Sequence, residues 1–252
     1  MKVGLTGGRG FIGTHLFNSF AGVEPITEVS LFMGSVIEHE KNLGKMVESC
    51  DAIVHLAGKN KGTSQDLILN NVIGTYNVAN FCAAHRKKLL FAGTTYDKKD
   101  AYLTSKNIGE TIVNQYAQNL NHQFMVLKMP RVIGPQCRPF YNSFVSTLCY
   151  LKAKDQPYTH LLTGPDQTRK MDFVHVDTVC AQIKNFLIDD EYFNFIQRYS
   201  ASMFWFTEGQ KIIVSIKDVV DIIEDAPTSP EVHRYVPIFK NLVESYKNYE
   251  IS

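Results

Sequence analysis

The sequence predicts an α/β protein, a Rossmann-like doubly wound parallel sheet with a small C-terminal substrate-binding lobe. Short apolar runs alternate with stretches of helical spacing through the first half, and a glycine-rich turn lies where the first run meets the first helix. Length sets the scale. At 252 residues, with 44% apolar and 20% charged side chains, the chain approaches the limit of one hydrophobic core. A single domain over 1–252 is expected, with about 1–130 as its core and about 131–252 contributing the lobe.

Lys2 to Leu5 reads as a short strand, Phe11 to Phe20 as a helix with apolar positions at Phe11, Ile12, Leu16 and Phe20, and Ile26 to Phe32 as a second strand. Lys41 to Glu48 follows as a short helix, Ala52 to Leu56 as a strand, Gln65 to His85 as one long helix, and Lys88 to Ala92 as a strand. A helix from about Tyr102 to Asn119 and a strand from Phe124 to Lys128 complete the alternation. Strands and helices of these lengths require right-handed crossovers and a sheet covered on both faces, with ligands beyond the carboxyl ends of the strands. After Pro130 the pattern loosens. Helices are expected at Ser143 to Lys154, Val179 to Ile188 and Ile216 to Ile223, with strands near Asp172 to Val176 and Met203 to Phe206, among Pro157, Pro165, Pro227, Pro230 and Pro237.

Thr6-Gly7-Gly8-Arg9-Gly10-Phe11-Ile12-Gly13 joins the first strand to the first helix. At that position Gly7 suits the tight turn, Gly10 the close approach of a pyrophosphate, and Gly13 the packing of helix on strand, while helix N-terminal amides supply an anion site. A dinucleotide is the expected ligand. An NAD-selective site places a carboxylate after the second strand, and Leu31-Phe32-Met33-Gly34-Ser35 has none. Arg9 offers a guanidinium fork for a 2′-phosphate, so NADPH is the expected cofactor, with Glu28 and Glu38 the nearest acids that would reverse this.

Tyr102 and Lys106 stand four residues apart, on one helix face. Tyr150 and Lys154 share that spacing, but only the first pair follows a strand of the expected sheet and is placed to face a nicotinamide. A free tyrosine is a poor acid-base near neutrality, so the ammonium and the cofactor's positive charge are expected to favour the phenolate. Thr94, ending the preceding strand, is placed to hydrogen-bond a carbonyl undergoing reduction.

Composition excludes other classes. Twenty-six basic and 25 acidic side chains leave +1, so nucleic acid and anionic membranes have no general attraction for the chain. No run approaches the roughly 20 apolar residues of a membrane span, and glycines interrupt the N-terminus where a signal peptide would be apolar. A cytoplasmic protein is expected. Cys50, Cys82, Cys137, Cys149 and Cys180 are scattered and odd in number, so no disulfide framework and no metal site is expected.

These segments together resemble the extended short-chain dehydrogenase/reductases, the nucleotide-sugar epimerase, dehydratase and reductase superfamily. Thr6 to Gly13 is similar to its TGxxGxxG turn, His55-Leu56-Ala57-Gly58 to its fourth-strand end, Asn71 to Thr75 to its NxxGT helix, and Tyr102 with Lys106 to its YxxxK. Pro130-Arg131-Val132-Ile133-Gly134-Pro135 and Val174 to Asp177 resemble its later segments. Asp51 to Asn60, the short gap from Thr94 to Tyr102, and Gly134 to Ser143 look most like the reductase domain of enzymes making UDP-N-acetyl-L-fucosamine and L-rhamnosamine precursors for bacterial capsules.

That resemblance implies NADPH-dependent reduction of the 4-keto group of a UDP-2-acetamido-2,6-dideoxy-hexos-4-ulose. It implies catalysis by Thr94, Tyr102 and Lys106. Cofactor contacts fall on Gly7, Arg9, Gly10, Phe11, Ile12, Leu56, Ala57, Gly58, Asn71, Tyr102, Lys106, Pro130 and Val132, and substrate contacts on Asn60, Arg131, Arg138, Asn142 and Arg169. It also implies a homodimer through the Gln65 to His85 and Tyr102 to Asn119 helices. The pattern is broken twice. The capsular enzymes continue into a cupin domain for 3-epimerisation, so with the sequence ending at Ser252 reduction alone is expected; and Met171 stands where many members have a diphosphate-binding Arg, leaving Arg169 as the substitute.

Rival readings remain open. Thr95 and Tyr96 stand where a 4,6-dehydratase would carry acid and base carboxylates, and a 4-epimerase would retain NAD. A combined epimerase and reductase would use Cys137 as base, though a packing cysteine is the simpler reading. A non-catalytic dinucleotide sensor or scaffold would not require the Tyr102 and Lys106 pair.

Overall fold

The fold was analysed in a computed structural model, which describes residues 1–119, 122–141, 143–162, 166–199, 202–226 and 230–251. In chain order the first elements are β1 (Lys2–Thr6), α1 (Phe11–Ser19), β2 (Glu28–Leu31), α2 (Glu40–Ser49), β3 (Ala52–His55), α3 (Ser64–Ile68), α4 (Gly74–Ala84), β4 (Lys88–Thr94), α5 (Ala101–Asn119) and β5 (Phe124–Met129). They are followed by β6 (Arg131–Ile133), α6 (Phe144–Ala153), β7 (Met171–His175), α7 (Val176–Ile188), α8 (Asp190–Tyr199), β8 (Met203–Trp205), β9 (Ile212–Val214), α9 (Ile216–Ile223), α10 (Pro230–His233) and α11 (Val236–Ser245).

The chain forms two compact units, Met1–Met129 with Asp177–Phe206, and Pro130–Val176 with Thr207–Ser252. In the first, six strands in the order β2-β1-β3-β4-β5-β8 pair in parallel throughout. Their continuous apolar runs reflect burial on both faces: Val3, Leu5, Ile53, Val54, Leu89, Leu90, Phe91 and Phe124 to Leu127 are wholly buried. The strand the resemblance numbers fourth is the third here, β3.

The segment after about residue 130, expected to contribute the lobe, is shared between the two units. Asp177–Phe206 returns to the first unit, where α7 and α8 lead into β8 as the sixth strand beside β5. The expected long helix is also interrupted: Leu69–Ile73 forms a π-helical turn between α3 and α4. Helix α3 starts on a reciprocal cap, the Thr63 hydroxyl accepting from Asp66 N–H while the Asp66 carboxylate accepts from Thr63 N–H.

The second unit has a three-stranded sheet in which β6 runs parallel to β7 and β7 antiparallel to β9. Its core joins Val145, Leu148 and Cys149 of α6 to Phe173, Val214, Val219, Phe239 and Tyr246. All five cysteines are buried and free. Among the described residues no cluster suited to a metal ion occurs, and no helix is long and apolar enough to cross a membrane.

Candidate active site

The first unit builds its site at the carboxyl ends of β1, β3 and β4. Gly7, directly after β1, has φ +71°, a conformation a side chain resists, and a Cβ there would lie 2.6 Å from Ala57 N. A Cβ on Gly13 would lie 2.3 Å from Gly7 O and 2.6 Å from Gly8 Cα, so this glycine lets α1 begin against the turn. At Gly10 the nearest atom to an added Cβ is Gly7 O, 3.2 Å away. Gly10 is also the N-cap of α1, with no side-chain hydrogen bond closing the helix end and no acid in its first turn. That cradle suits an anion such as a pyrophosphate, with Phe11 and Ile12 contributing the first helical amides.

The end of β3 is tied to the turn through a buried network that sequence reasoning did not identify. The Thr75 hydroxyl donates to Asn71 O at 2.7 Å, so it accepts from His55 Nε2, 3.3 Å away. His55 Nδ1 is then free to accept from the Thr6 hydroxyl at 2.6 Å, and the same hydroxyl oxygen accepts from Ala57 N–H at 3.4 Å. Burial, reinforced by the Lys106 charge, pushes the His55 pKa down to about 3. The imidazole is neutral and fixes the Leu56-Ala57-Gly58 segment relative to Gly7.

The Asn71 side chain is held by three hydrogen bonds. Its side-chain oxygen accepts from Lys59 N at 2.7 Å, and its nitrogen donates to Lys59 O and to the Ser105 hydroxyl at 2.7 and 2.9 Å. It acts on the loop carrying Gly58 and Asn60 and on the helix carrying Lys106. Asn60 follows that loop with its side-chain oxygen buried and unpaired.

Beyond β2, Phe32 N–H still reaches Leu5 O, and the strand ends without an acid, as expected. Glu28 opens β2 and pairs with Lys2 at 2.7 Å, at the amino end of the sheet and away from the glycine turn. Glu38 is exposed and donates its N–H to the Ser35 hydroxyl. Arg9 projects from the turn as an exposed side chain.

Helix α5 brings the chemistry to the end of β4. Asp100 caps it, accepting from Leu103 N–H at 2.9 Å and from the Tyr96 hydroxyl at 3.3 Å, and the Tyr96 and Tyr102 rings meet edge to face. Tyr102 and Lys106 share a face as expected. The Lys106 ammonium donates to Ala92 O at 2.5 Å and lies 4.3 Å from the centre of the Phe91 ring. Burial raises the Tyr102 pKa above its ordinary value, opposed by the Thr94 hydroxyl. In the chain alone, desolvation of the phenolate outweighs the nearby hydroxyl, which opposes ionisation of Tyr102.

One charged pair at the site was missed. Glu110, one further helical turn along the Tyr102 and Lys106 face, accepts from Thr94 N–H at 2.9 Å and from Lys128 Nζ at 2.5 Å. The i, i+4, i+8 spacing of Tyr102, Lys106 and Glu110 was the available signal. The rival pair behaves differently, since Lys154 Nζ donates to Lys247 O at 2.8 Å.

The remaining candidates belong to the second unit. Arg131 and Val132 lie in β6, following Pro130, and Arg138 sits over the Tyr141 ring at 5.5 Å. Arg169 precedes β7 and is exposed, while Asn142 lies outside the described residues. The Tyr246 hydroxyl donates to Cys137 O at 2.6 Å, and burial pushes the Cys137 thiol up, so it packs as a neutral thiol.

Comparison with known proteins places this parallel sheet in a family. The model of the NAD dependent epimerase/dehydratase family matches residues 3–189. The chain belongs to that family. A relative from Pseudomonas aeruginosa, UDP-2-acetamido-2,6-beta-L-arabino-hexul-4-ose reductase, is 30% identical over 164 residues, covering 62% of this chain and 42% of the relative. Among solved structures, the capsular polysaccharide assembling protein CapF from Staphylococcus aureus aligns with a TM-score of 0.71 and 21% identity over 98% of this chain and 65% of that one. UDP-glucuronic acid 4-epimerase from Bacillus cereus, in complex with NAD, aligns with a TM-score of 0.76 and 17% identity over 98% and 100% of the two chains. The chain thus spans less than half of the reductase and about two thirds of CapF.

Proposed function

We propose that this epimerase/dehydratase-family member reduces the 4-keto group of a UDP-2-acetamido-2,6-dideoxy-hexos-4-ulose with NADPH, in the cytoplasm, for polysaccharide biosynthesis. The observation that carries the reading is the placement of Tyr102 and Lys106 on one face of α5 beside Thr94 at the end of β4. The name of the Pseudomonas relative supports the substrate class. Gly7, Gly10, Phe11 and Ile12 would hold the pyrophosphate, and Arg9, with no acid after β2, favours a 2′-phosphate.

When bound, the nicotinamide supplies the hydride. The chain's own contribution is the proton: the Tyr102 hydroxyl donates it to the carbonyl oxygen as negative charge develops there, and the Thr94 hydroxyl hydrogen-bonds the same oxygen. Burial suits this direction, because a phenol held neutral carries the proton that reduction consumes. Lys106 places a positive charge behind the phenol, anchored on Ala92 O, and stabilises the phenolate left after transfer. Asn60, Arg131, Arg138, Asn142 and Arg169 are proposed for the UDP-sugar.

A second copy of the chain is proposed to pack on α3 to α5, where Ile68, Leu69, Ile73, Tyr76 and Ile108 are exposed apolar side chains. An epimerase reading is favoured by the full-length alignment with the Bacillus enzyme. The two are separated by incubating the protein with the 4-keto sugar and following NADPH absorbance, with the product resolved by NMR. Stoichiometric NADPH oxidation is expected, and Tyr102→Phe is expected to slow it at least 100-fold. Cofactor binding without turnover on any 4-keto sugar would replace the reductase with a dinucleotide sensor, and tightly retained NAD with no net oxidation would replace it with an epimerase.

A further inference from the structure

We propose that Tyr96 is a positioning residue, a brace whose ring holds the Tyr102 side chain and whose N–H engages the Thr94 hydroxyl. This role deepens the reductase reading and rests on it for its meaning in catalysis.

Tyr102 needs support from outside its own helix. Side chains of a helix lean back onto the turn before them, and α5 begins at Ala101, so Tyr102 in the second position has no earlier turn to lean on. Lys106 is better provided, since one turn further along it is buried and donates to Ala92 O at 2.5 Å. Tyr96 stands in the missing place. Its ring centre lies 5.7 Å from that of Tyr102 with the planes 71° apart, an edge-to-face contact between two partly buried side chains.

The brace is itself held at both ends. Thr94 N–H donates to Glu110 Oε1 at 2.9 Å, Thr95 N–H to Met129 O at 2.9 Å and Tyr96 N–H to Thr94 Oγ1 at 3.1 Å, so three successive amides are anchored where β4 leaves the sheet. At the far end the Tyr96 hydroxyl donates to Asp100 Oδ2 at 3.3 Å, while Asp100 Oδ1 caps α5 through Leu103 N–H. The side chain thus spans from the strand that ends in Thr94 to the helix start that carries Tyr102. Any residue but proline would supply the N–H for Thr94, and Asp100 would cap the helix without the Tyr96 hydroxyl. What residue 96 adds is an aromatic ring, and what that ring meets is Tyr102. With one lone pair of the Thr94 oxygen taken by Tyr96 N–H, the hydroxyl still has its proton to donate to an acceptor such as the carbonyl oxygen.

The test reads Tyr102 first without substrate. In the full chain labelled with 13C and 15N, three-bond couplings from the Tyr102 ring carbon Cγ to its backbone report χ1, the resonances being assigned by their loss in Tyr102→Phe. One staggered rotamer is expected in the wild type and in Tyr96→Phe, and values averaged over rotamers in Tyr96→Leu. Turnover of the 4-keto sugar with NADPH is expected to lose about tenfold in kcat in Tyr96→Leu with KM held within about twofold, and to return to within about threefold of wild type in Tyr96→Phe, which keeps the ring. A tenfold loss is about 1.4 kcal/mol, the scale of one edge-to-face aromatic pair. A single Tyr102 rotamer in Tyr96→Leu overturns the brace, as does a rise in KM with kcat unchanged, or a kcat in Tyr96→Phe as low as in Tyr96→Leu. If Tyr96→Leu does not fold, Tyr96→Gln is judged by the same outcomes. Rotamer averaging in Tyr96→Leu, in a protein that turns over no 4-keto sugar, would keep the brace and discard the reductase reading.

Discussion

Acid should destabilise this protein in part through His55, and the amount that side chain contributes follows from its burial. The imidazole is wholly buried and surrounded by hydroxyls already committed, so the folded chain takes up a proton there only near pH 3, against 6.5 for an ordinary histidine. The folded pKa lies below the unfolded one, and the unfolded chain therefore binds the extra proton as the pH falls below 6.5. Stability is intact above that value and is lost progressively down to about pH 3. The full span corresponds to roughly 5 kcal/mol, of which roughly 2 kcal/mol is lost between pH 7.5 and pH 5. The assay is urea unfolding at about pH 7.5, 6.5 and 5 for the wild type and His55→Asn, which removes the titration and keeps a short polar side chain. Subtracting the two series cancels the other seven histidines, since the chain has 8 in all. The variant is expected to be less stable at neutral pH and to show a flatter pH dependence. A wild-type minus variant difference that changes by less than about 0.5 kcal/mol over this range would refute the buried neutral imidazole.

The glycine turn makes two separable predictions. Gly13→Ala places a methyl against the backbone of Gly7 and Gly8 and should lower stability by about 2 to 3 kcal/mol in thermal or urea unfolding, whereas Gly10→Ala meets only Gly7 O and should fold while weakening NADPH binding at least tenfold by calorimetry. Arg9→Ala should weaken NADPH about tenfold and leave NADH within about twofold, measured by fluorescence titration, if the guanidinium reads the 2′-phosphate. Ile108→Glu, placing a charge in the apolar strip on α5, should shift the sedimentation coefficient from dimer to monomer without changing the far-ultraviolet circular dichroism.

Much of the first unit is legible in the sequence because its strands are buried on both faces, and uninterrupted apolar runs such as Phe124 to Leu127 carry that signature directly. The strands β6 and β9 escape because three residues hold no periodicity. The return of Asp177–Phe206 to the first sheet escapes for another reason: β8 pairs with β5 across more than 70 residues, and no local pattern encodes that partnership. At the site the same division holds. Tyr102, Lys106 and Glu110 are readable as one helix face, but Lys128 joins them only through the Gly93 to Lys128 register. The π-helical turn at Leu69–Ile73 leaves a faint trace in Asn70 and Asn71, weak helix formers in the middle of a helix.

Burial, more than mutual attraction, governs the two residues that the spacing singles out. A phenol and an ammonium four residues apart invite the inference that one ionises the other. Here desolvation acts on both first, raising Tyr102 and lowering Lys106, and each is drawn toward its neutral form. That condition suits a reductase better than an oxidase. In the reductase proposed above, the phenol starts with the proton that reduction consumes. The ammonium bound to Ala92 O and the carboxylate bound to Thr94 N–H both tie α5 to the end of β4, so the placement of Tyr102 is set by the sheet as well as by its own helix.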